Sequence, residues 1–137
     1  MQDSALSGAQ ERSWAQNIFA ITLLAEDLEA TKRFYQEVFG LPVVFETANS
    51  AVFEIGATLL NLLRISEANE LIAPGAVAGS EAGARSVFTI HVDDVDAMCA
   101  LLAARGVALL NGPMDRPWGV RTASFQDPAG HIWEIAK

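Results

Sequence analysis

The stretch that decides the fold is IFAITLLAEDLEATKRFYQEVFG, residues 18–40. Ile18 to Leu24 is a β-branched and aliphatic run, which predicts a strand, and Asp27 stands where a helix N-cap belongs. Leu28, Thr31, Phe34, Tyr35, Val38 and Phe39 then recur at spacings of three and four, the mark of one buried helix face. Gly40 ends the run as the residue best able to take the left-handed C-terminal position, and Pro42 confirms the exit. The order is repeated further on. Val87 to Val92 predicts a strand, Asp94 a cap, Val95, Met98, Leu101 and Leu102 a helix face, and Gly106 a stop. Asp27 and Asp94 are 67 positions apart, and Gly40 and Gly106 are 66 apart, so the two halves are in register.

Outward from these anchors, the first half continues through three short extended segments, Val43 to Glu46, Ala51 to Ile55 and Thr58 to Ile65. In the second half a strand is expected from Val107, followed by Thr122 to Phe125, a turn at residues 126–130 and a last strand from His131 to Ala136. The expected class is therefore α+β: two βαβββ modules whose curved mixed sheets form a cup, with the helices on the outer face. Module one spans 17–65 and module two 86–137, in a single domain over 17–137. Ser66 to Arg85, rich in Ala, Gly and Ser, reads as a linker or flap, and residues 1–16 as a flexible tail. Strand alternation turns Phe19, Ile21, Leu23, Phe88, Ile90 and Val92 toward the helices and Ala20, Thr22, Leu24, Val87, Thr89 and His91 into the concavity.

Composition narrows the function. At 137 residues, 51% hydrophobic and 19% charged, the chain is too apolar for disorder and has no membrane-length apolar run. A net charge of −8 with nine scattered Lys and Arg residues argues against nucleic acid and against an anionic membrane surface as partners. The lone Cys99 sits in an apolar helical pattern and reads as a small buried hydrophobe. The first 16 residues lack the basic start and apolar run of a secretory signal, so a cytoplasmic location is expected. No phosphate-binding glycine loop, Cys-x-x-Cys, nucleophile elbow or His-Glu-x-x-His occurs.

Three segments carry a resemblance: residues 24–41, from Leu24-Ala25-Glu26-Asp27-Leu28 through Phe39-Gly40-Leu41; His91-Val92-Asp93-Asp94-Val95-Asp96; and Phe125-Gln126-Asp127-Pro128-Ala129-Gly130-His131-Ile132-Trp133-Glu134. In this order and spacing they resemble the glyoxalase/bleomycin-resistance/extradiol-dioxygenase family, the vicinal oxygen chelate superfamily, over about residues 17–137. That family hosts isomerases, dioxygenases, transferases and plain binding proteins. The resemblance implies that, in metal-dependent members, each module supplies one ligand from its first strand and one from its last, usually two His and two Glu or a close variant. Counted from Asp27 and Asp94, the first-strand positions are Ala20 and Val87; the last-strand positions are Asn61 and Glu134. A divalent ion needs three or four anionic or imidazole donors at about 2.0–2.3 Å, so neither a metal nor any other cofactor is expected. His91 lies four residues, roughly 13 Å, beyond Val87, and His131 alternates to the face opposite Glu134.

The candidate site is therefore an organic pocket lined by Ala20, Thr22, Leu59, Asn61, Leu63, Val87, Thr89 and Glu134. Glu134 is the candidate acid or base; it can equally receive a ligand group or form an internal ion pair with Arg121 or Arg64. His91 is either a hydrogen-bonded strand-end residue or a proton shuttle. Trp118, between Arg116 and Arg121, can stack on a planar ligand while a guanidinium takes its anionic group, or it can plug the rim or enter a partner subunit. Trp133, Ile135, Tyr35 and Phe34 are expected in the core. The function expected first is binding of a small organic molecule, with Asn61, Glu134 and Trp118 orienting it. The alternative is a lyase, isomerase or dioxygenase of the same superfamily. A homodimer is expected.

Overall fold

A computed structural model describes Ser7 and residues 14–137; most of the expected tail over 1–16 lies outside the described residues. The first module runs β1 (Ala20–Ala25), α1 (Leu28–Glu37), β2 (Phe45–Thr47), β3 (Ser50–Ile55) and β4 (Thr58–Arg64). The second runs β5 (Val87–His91), α3 (Val95–Ala104), β6 (Asn111–Asp115), β7 (Arg121–Gln126) and β8 (Ile132–Ala136). Between them lie a short helix α2 (Asn69–Ile72) and two single 3-10 turns. Each module forms one four-stranded mixed sheet, in the orders β1-β4-β3-β2 and β5-β8-β7-β6, with the first pair parallel and the others antiparallel. The α+β class and the two βαβββ modules are thus as the repeat predicts; the sheets do not close on one another. No helix among the described residues is long and apolar enough to cross a membrane.

The repeated punctuation works as the residue types demand. Asp27 and Asp94 are both extended, and each carboxylate accepts from the backbone N–H three residues on, Ala30 and Ala97, at 3.0 Å. Gly40 and Gly106 take φ of +71° and +82°, which reverses the chain after each helix. Asp27→Ala and Asp94→Ala are each expected to lower stability by about 1 kcal/mol, and the double variant by about the sum, since the caps lie in different modules. Chemical denaturation of the three variants checks this; a double variant no less stable than either single one contradicts it.

Two expectations need correction. Pairing begins later than the hydrophobic runs suggest: Val107 and Leu109 pack on the core without entering a strand, and β6 starts at Asn111. Burial made those residues apolar, and apolarity alone does not distinguish a packed loop from a strand. Phe19 does not face the helix. It precedes β1 and is 77% exposed, while its carbonyl accepts from Leu59 N–H at 2.8 Å.

The helix-facing sides of both sheets meet in one core. Leu23, Phe53, Leu60 and Leu62 of the first sheet join Ala123, Phe125, Trp133 and Ile135 of the second. The first helix and its exit supply the link: Phe34 of α1 lies 6.4 Å from Phe125, and Phe39, just past the helix end, 5.0 Å from Trp133, ring centre to ring centre. Tyr35, wholly buried, donates to Asp127 Oδ2 at 2.6 Å and accepts from Trp133 Nε1 at 2.9 Å. Asp127 Oδ1 accepts from the N–H groups of Ala129 and His131, both at 2.9 Å. Arg105 Nη1 caps the α1 end by donating to Val38 O at 2.6 Å. Cys99 is buried as expected, and burial pushes its thiol pKa up, away from reactivity.

Candidate functional site

Because each sheet gives one face to the shared core, its other face is left open. Strand register fixes what stands there. On the first sheet, Thr22, Asn61, Val52 and Phe45 are paired in one row across all four strands. On the second, Thr89, Glu134, Ser124 and Asn111 make the corresponding row. The two rows are related by the internal repeat: Thr22 answers to Thr89 and Asn61 to Glu134, while Ala20 and Val87 each stand two residues earlier on the same face. Asn61 Nδ2 donates to Thr22 Oγ1 at 3.4 Å, and Thr89 Oγ1 donates to Glu134 Oε1 at 2.9 Å. The first row ends apolar, with Phe45 62% exposed; the second is polar throughout.

The sequence-derived residues are distributed as follows. Thr22 and Asn61 share the open face of the first sheet; Thr89, Glu134 and His91 share that of the second, with His91 exposed at the end of β5. Trp118 is 71% exposed in the tight connection between β6 and β7. Arg121 is placed differently from the expectation. Its neighbour Thr122 pairs with Ala136 on the open face, so the Arg121 side chain alternates to the helix side. There its Nε and Nη2 donate to the two carboxylate oxygens of Asp96 at 2.9 Å, and Nη1 donates to Asp115 at 3.1 Å. These carboxylates raise the Arg121 pKa, and the guanidinium in turn lowers that of Asp96. The alternative of an internal ion pair for Glu134 is not realised: Arg121 is on the far face, and Arg64 donates to Asn49 Oδ1 and Ala48 O. His131 turns from Glu134, its Nε2 lying 2.8 Å from Leu24 O.

Sequence reasoning missed Ser124, Asn111 and Thr122, and left open whether Arg116 or Arg121 takes an anionic group. Ser124 was within reach, since alternation from Phe125 puts it on the open face. Asn111 was not, because the start of β6 was misplaced. Arg116 Nε donates to Thr122 Oγ1 at 2.8 Å and its Nη2 to Asn111 Oδ1 at 3.0 Å, which lays the guanidinium at the end of the polar row.

At the four positions that the resemblance assigns to metal ligands stand Ala20, Asn61, Val87 and Glu134. Two have no donor atom and one is a neutral amide, so these residues do not fit a divalent centre of that type. Among the described residues no three of His, Cys, Asp and Glu gather closely enough to hold a metal ion. A cavity of about 290 Å³ at the module seam includes Leu59, Val87 and Thr89. A larger cavity, about 570 Å³, lies between β1, the 77–86 segment and the turn at 129–132.

Comparison with known proteins agrees with this geometry. The family model "Glyoxalase/Bleomycin resistance protein/Dioxygenase superfamily" matches residues 17–135. The uncharacterized protein YraH of Bacillus subtilis is 31% identical over 124 residues, covering 88% of this chain and 97% of that one. Among solved structures, a glyoxalase-related enzyme from Fulvimarina pelagi is 31% identical with a TM-score of 0.75, covering 88% of this chain and 87% of its own. A lactoylglutathione lyase from Agrobacterium tumefaciens is 27% identical with a TM-score of 0.70, covering 88% and 92%. Fold, internal repeat and matched segments agree, and the chain belongs to the glyoxalase/bleomycin resistance protein/dioxygenase superfamily.

Proposed function

We propose that this protein binds a small organic molecule on the open faces of its sheets without a metal ion, in a cup that a second copy completes. The observation that carries the reading is the row Thr89, Glu134, Ser124 and Asn111, a continuous polar strip in which Glu134 is the one strong donor among the four positions the resemblance assigns to metal ligands. Glu134 is its strongest acceptor, half-buried and held by Thr89, and it is the residue to orient a hydrogen-bond donor of the ligand. The homodimer is supported by the two open faces, which look away from the shared core, and by β1 and β5, each at the edge of its sheet. The first sheet, with Val52 and exposed Phe45, offers an apolar wall to complement the polar floor of the second.

A metal-independent enzyme that uses Glu134 as general base is the second reading, favoured by similarity to the glyoxalase-related enzyme and the lactoylglutathione lyase. The test is elemental analysis of protein purified without chelator, light scattering for mass, and thermal-shift screening against small organic compounds. The expected result is a dimer with substoichiometric transition metal whose melting temperature rises with selected compounds, a rise lost in Glu134→Gln. About one tightly held metal ion per chain overturns the metal-free reading. Turnover of a stabilising compound by the wild type and not by Glu134→Gln favours the enzyme over the binding protein.

A further inference from the structure

Arg116 differs from the other well-bonded arginines of this chain in what holds it. Arg121 is neutralised twice, by Asp96 and Asp115. Arg105 and Arg64 tie backbone carbonyls and the β2–β3 turn. Arg116 is half-buried on the open face of the second sheet, and its Nε and Nη2 are fixed by Thr122 and Asn111, both neutral acceptors. Its sequence neighbour Asp115 is taken by Arg121, and Glu134 is held by Thr89. Among the described residues no carboxylate pairs with Arg116. Two neutral oxygens fix the direction of a guanidinium without cancelling its charge. They leave Nη1 and the remaining N–H of Nη2 free to make the forked contact that suits a planar or tetrahedral oxyanion.

We propose that Arg116, oriented by Asn111 and Thr122, is an anion subsite at the end of the polar row, and that the ligand is an organic acid carrying a carboxylate, phosphate or phosphonate group. The inference rests on the reading that the open face of the second sheet is the ligand site. Glu134 and Asn111 are two strands apart, about 10 Å, so the ligand spans that length with its anionic end at Arg116 and a hydroxyl or amine donor at Glu134. Trp118 stands two residues from Arg116 in a connection closed by Arg116 N–H to Val120 O at 2.7 Å and Gly119 N–H to Arg116 O at 3.0 Å. Its exposed indole is therefore at the same end as the guanidinium, where it can cover an apolar or aromatic body attached to the acid.

The test is an amide-resolved NMR titration of the full-length protein with benzoate, phenylphosphonate and, as the neutral counterpart, benzyl alcohol. The two anions are expected to shift Asn111, Thr122, Ser124 and the Arg116 Nε–H, with benzyl alcohol at least about tenfold weaker. Arg116→Gln keeps a hydrogen-bonding side chain and is expected to weaken the anions about tenfold or more while leaving benzyl alcohol unchanged. Arg116→Lys retains the charge and is expected to fall between. Arg33→Gln, which removes one equally charged side chain on the exposed side of α1, is expected to change nothing. If benzyl alcohol binds the row as well as the anions do, or if Arg116→Gln leaves anion binding intact, the anion subsite is refuted and the organic site stands. If all three probes shift resonances only away from both open faces, or shift none, the site itself is refuted along with it. The comparison of probes on the wild type needs no variant, so a misfolded Arg116→Gln does not rescue the proposal.

Discussion

Asp127→Ala is expected to destabilise the protein by about 4 kcal/mol and to lower its melting temperature by on the order of 10 °C. The carboxylate is buried at the junction of the modules and accepts three hydrogen bonds, from Tyr35 Oη and from the N–H groups of Ala129 and His131. Its removal leaves a buried hydroxyl and two turn amides without acceptors, and the turn they hold sets the entry of β8 and hence the position of Glu134. Tyr35→Phe removes one member of the same network and orphans the Trp133 indole N–H together with one carboxylate oxygen, which should cost about 2–3 kcal/mol. A melting temperature for Asp127→Ala within about 3 °C of the wild type contradicts the argument.

The same network has a pH signature. Burial first, and then the Asp127 charge, push the Tyr35 hydroxyl pKa well above its ordinary value. A raised pKa for the neutral-to-anionic step means that the folded state resists ionisation. The stabilisation is thus fully present below the unfolded value of about 10 and is lost as pH rises above it, by about 1.4 kcal/mol per pH unit from this group. Tyr35 is the one tyrosine in the chain, so tyrosinate absorbance reports this group alone and should appear together with unfolding. Tyr35→Phe should flatten the alkaline limb relative to wild type; an identical limb contradicts the assignment.

Gly112→Ala is the second large effect, at about 4 kcal/mol or more, against about 1–2 kcal/mol for Gly130→Ala. Both glycines have positive φ, +88° and +91°, so both substitutions bear the left-handed penalty. They differ in surroundings. A Cβ on Gly112 would lie 2.5 Å from Thr122 O and 2.7 Å from Ala123 Cα, both backbone, whereas nothing lies within 4 Å of one on Gly130. Relief requires β6 to move off β7, and this carries away Asn111 and the hold on Arg116, so anion binding should fall with stability. Denaturant titration of the pair measures the difference, and equal losses at the two positions contradict the close-approach argument.

Much of the fold was legible because it is built from local signals repeated twice. Asp27 and Asp94 cap helices, Gly40 and Gly106 reverse the chain, and strand alternation buries Leu23, Leu62, Trp133 and Ile135 where apolar periodicity demands. The candidate site was legible only in part. Thr22, Asn61, Thr89 and Glu134 follow from counting along strands, whereas Arg121 looked equivalent to Arg116 until β7 register put it on the opposite face with Asp96.

By itself, then, the sequence determined the two βαβββ units, their helix boundaries and the open side of β1, β4, β5 and β8, since periodicity, capping and turn chemistry act over a few residues. Only the tertiary structure decided that the helix faces share one core through Tyr35, Asp127 and Trp133, and that Asn111 and Arg116 finish the row begun by Thr89 and Glu134. Those pairings join residues distant along the chain, and their register is set by packing across the sheet and between modules, which no local pattern encodes.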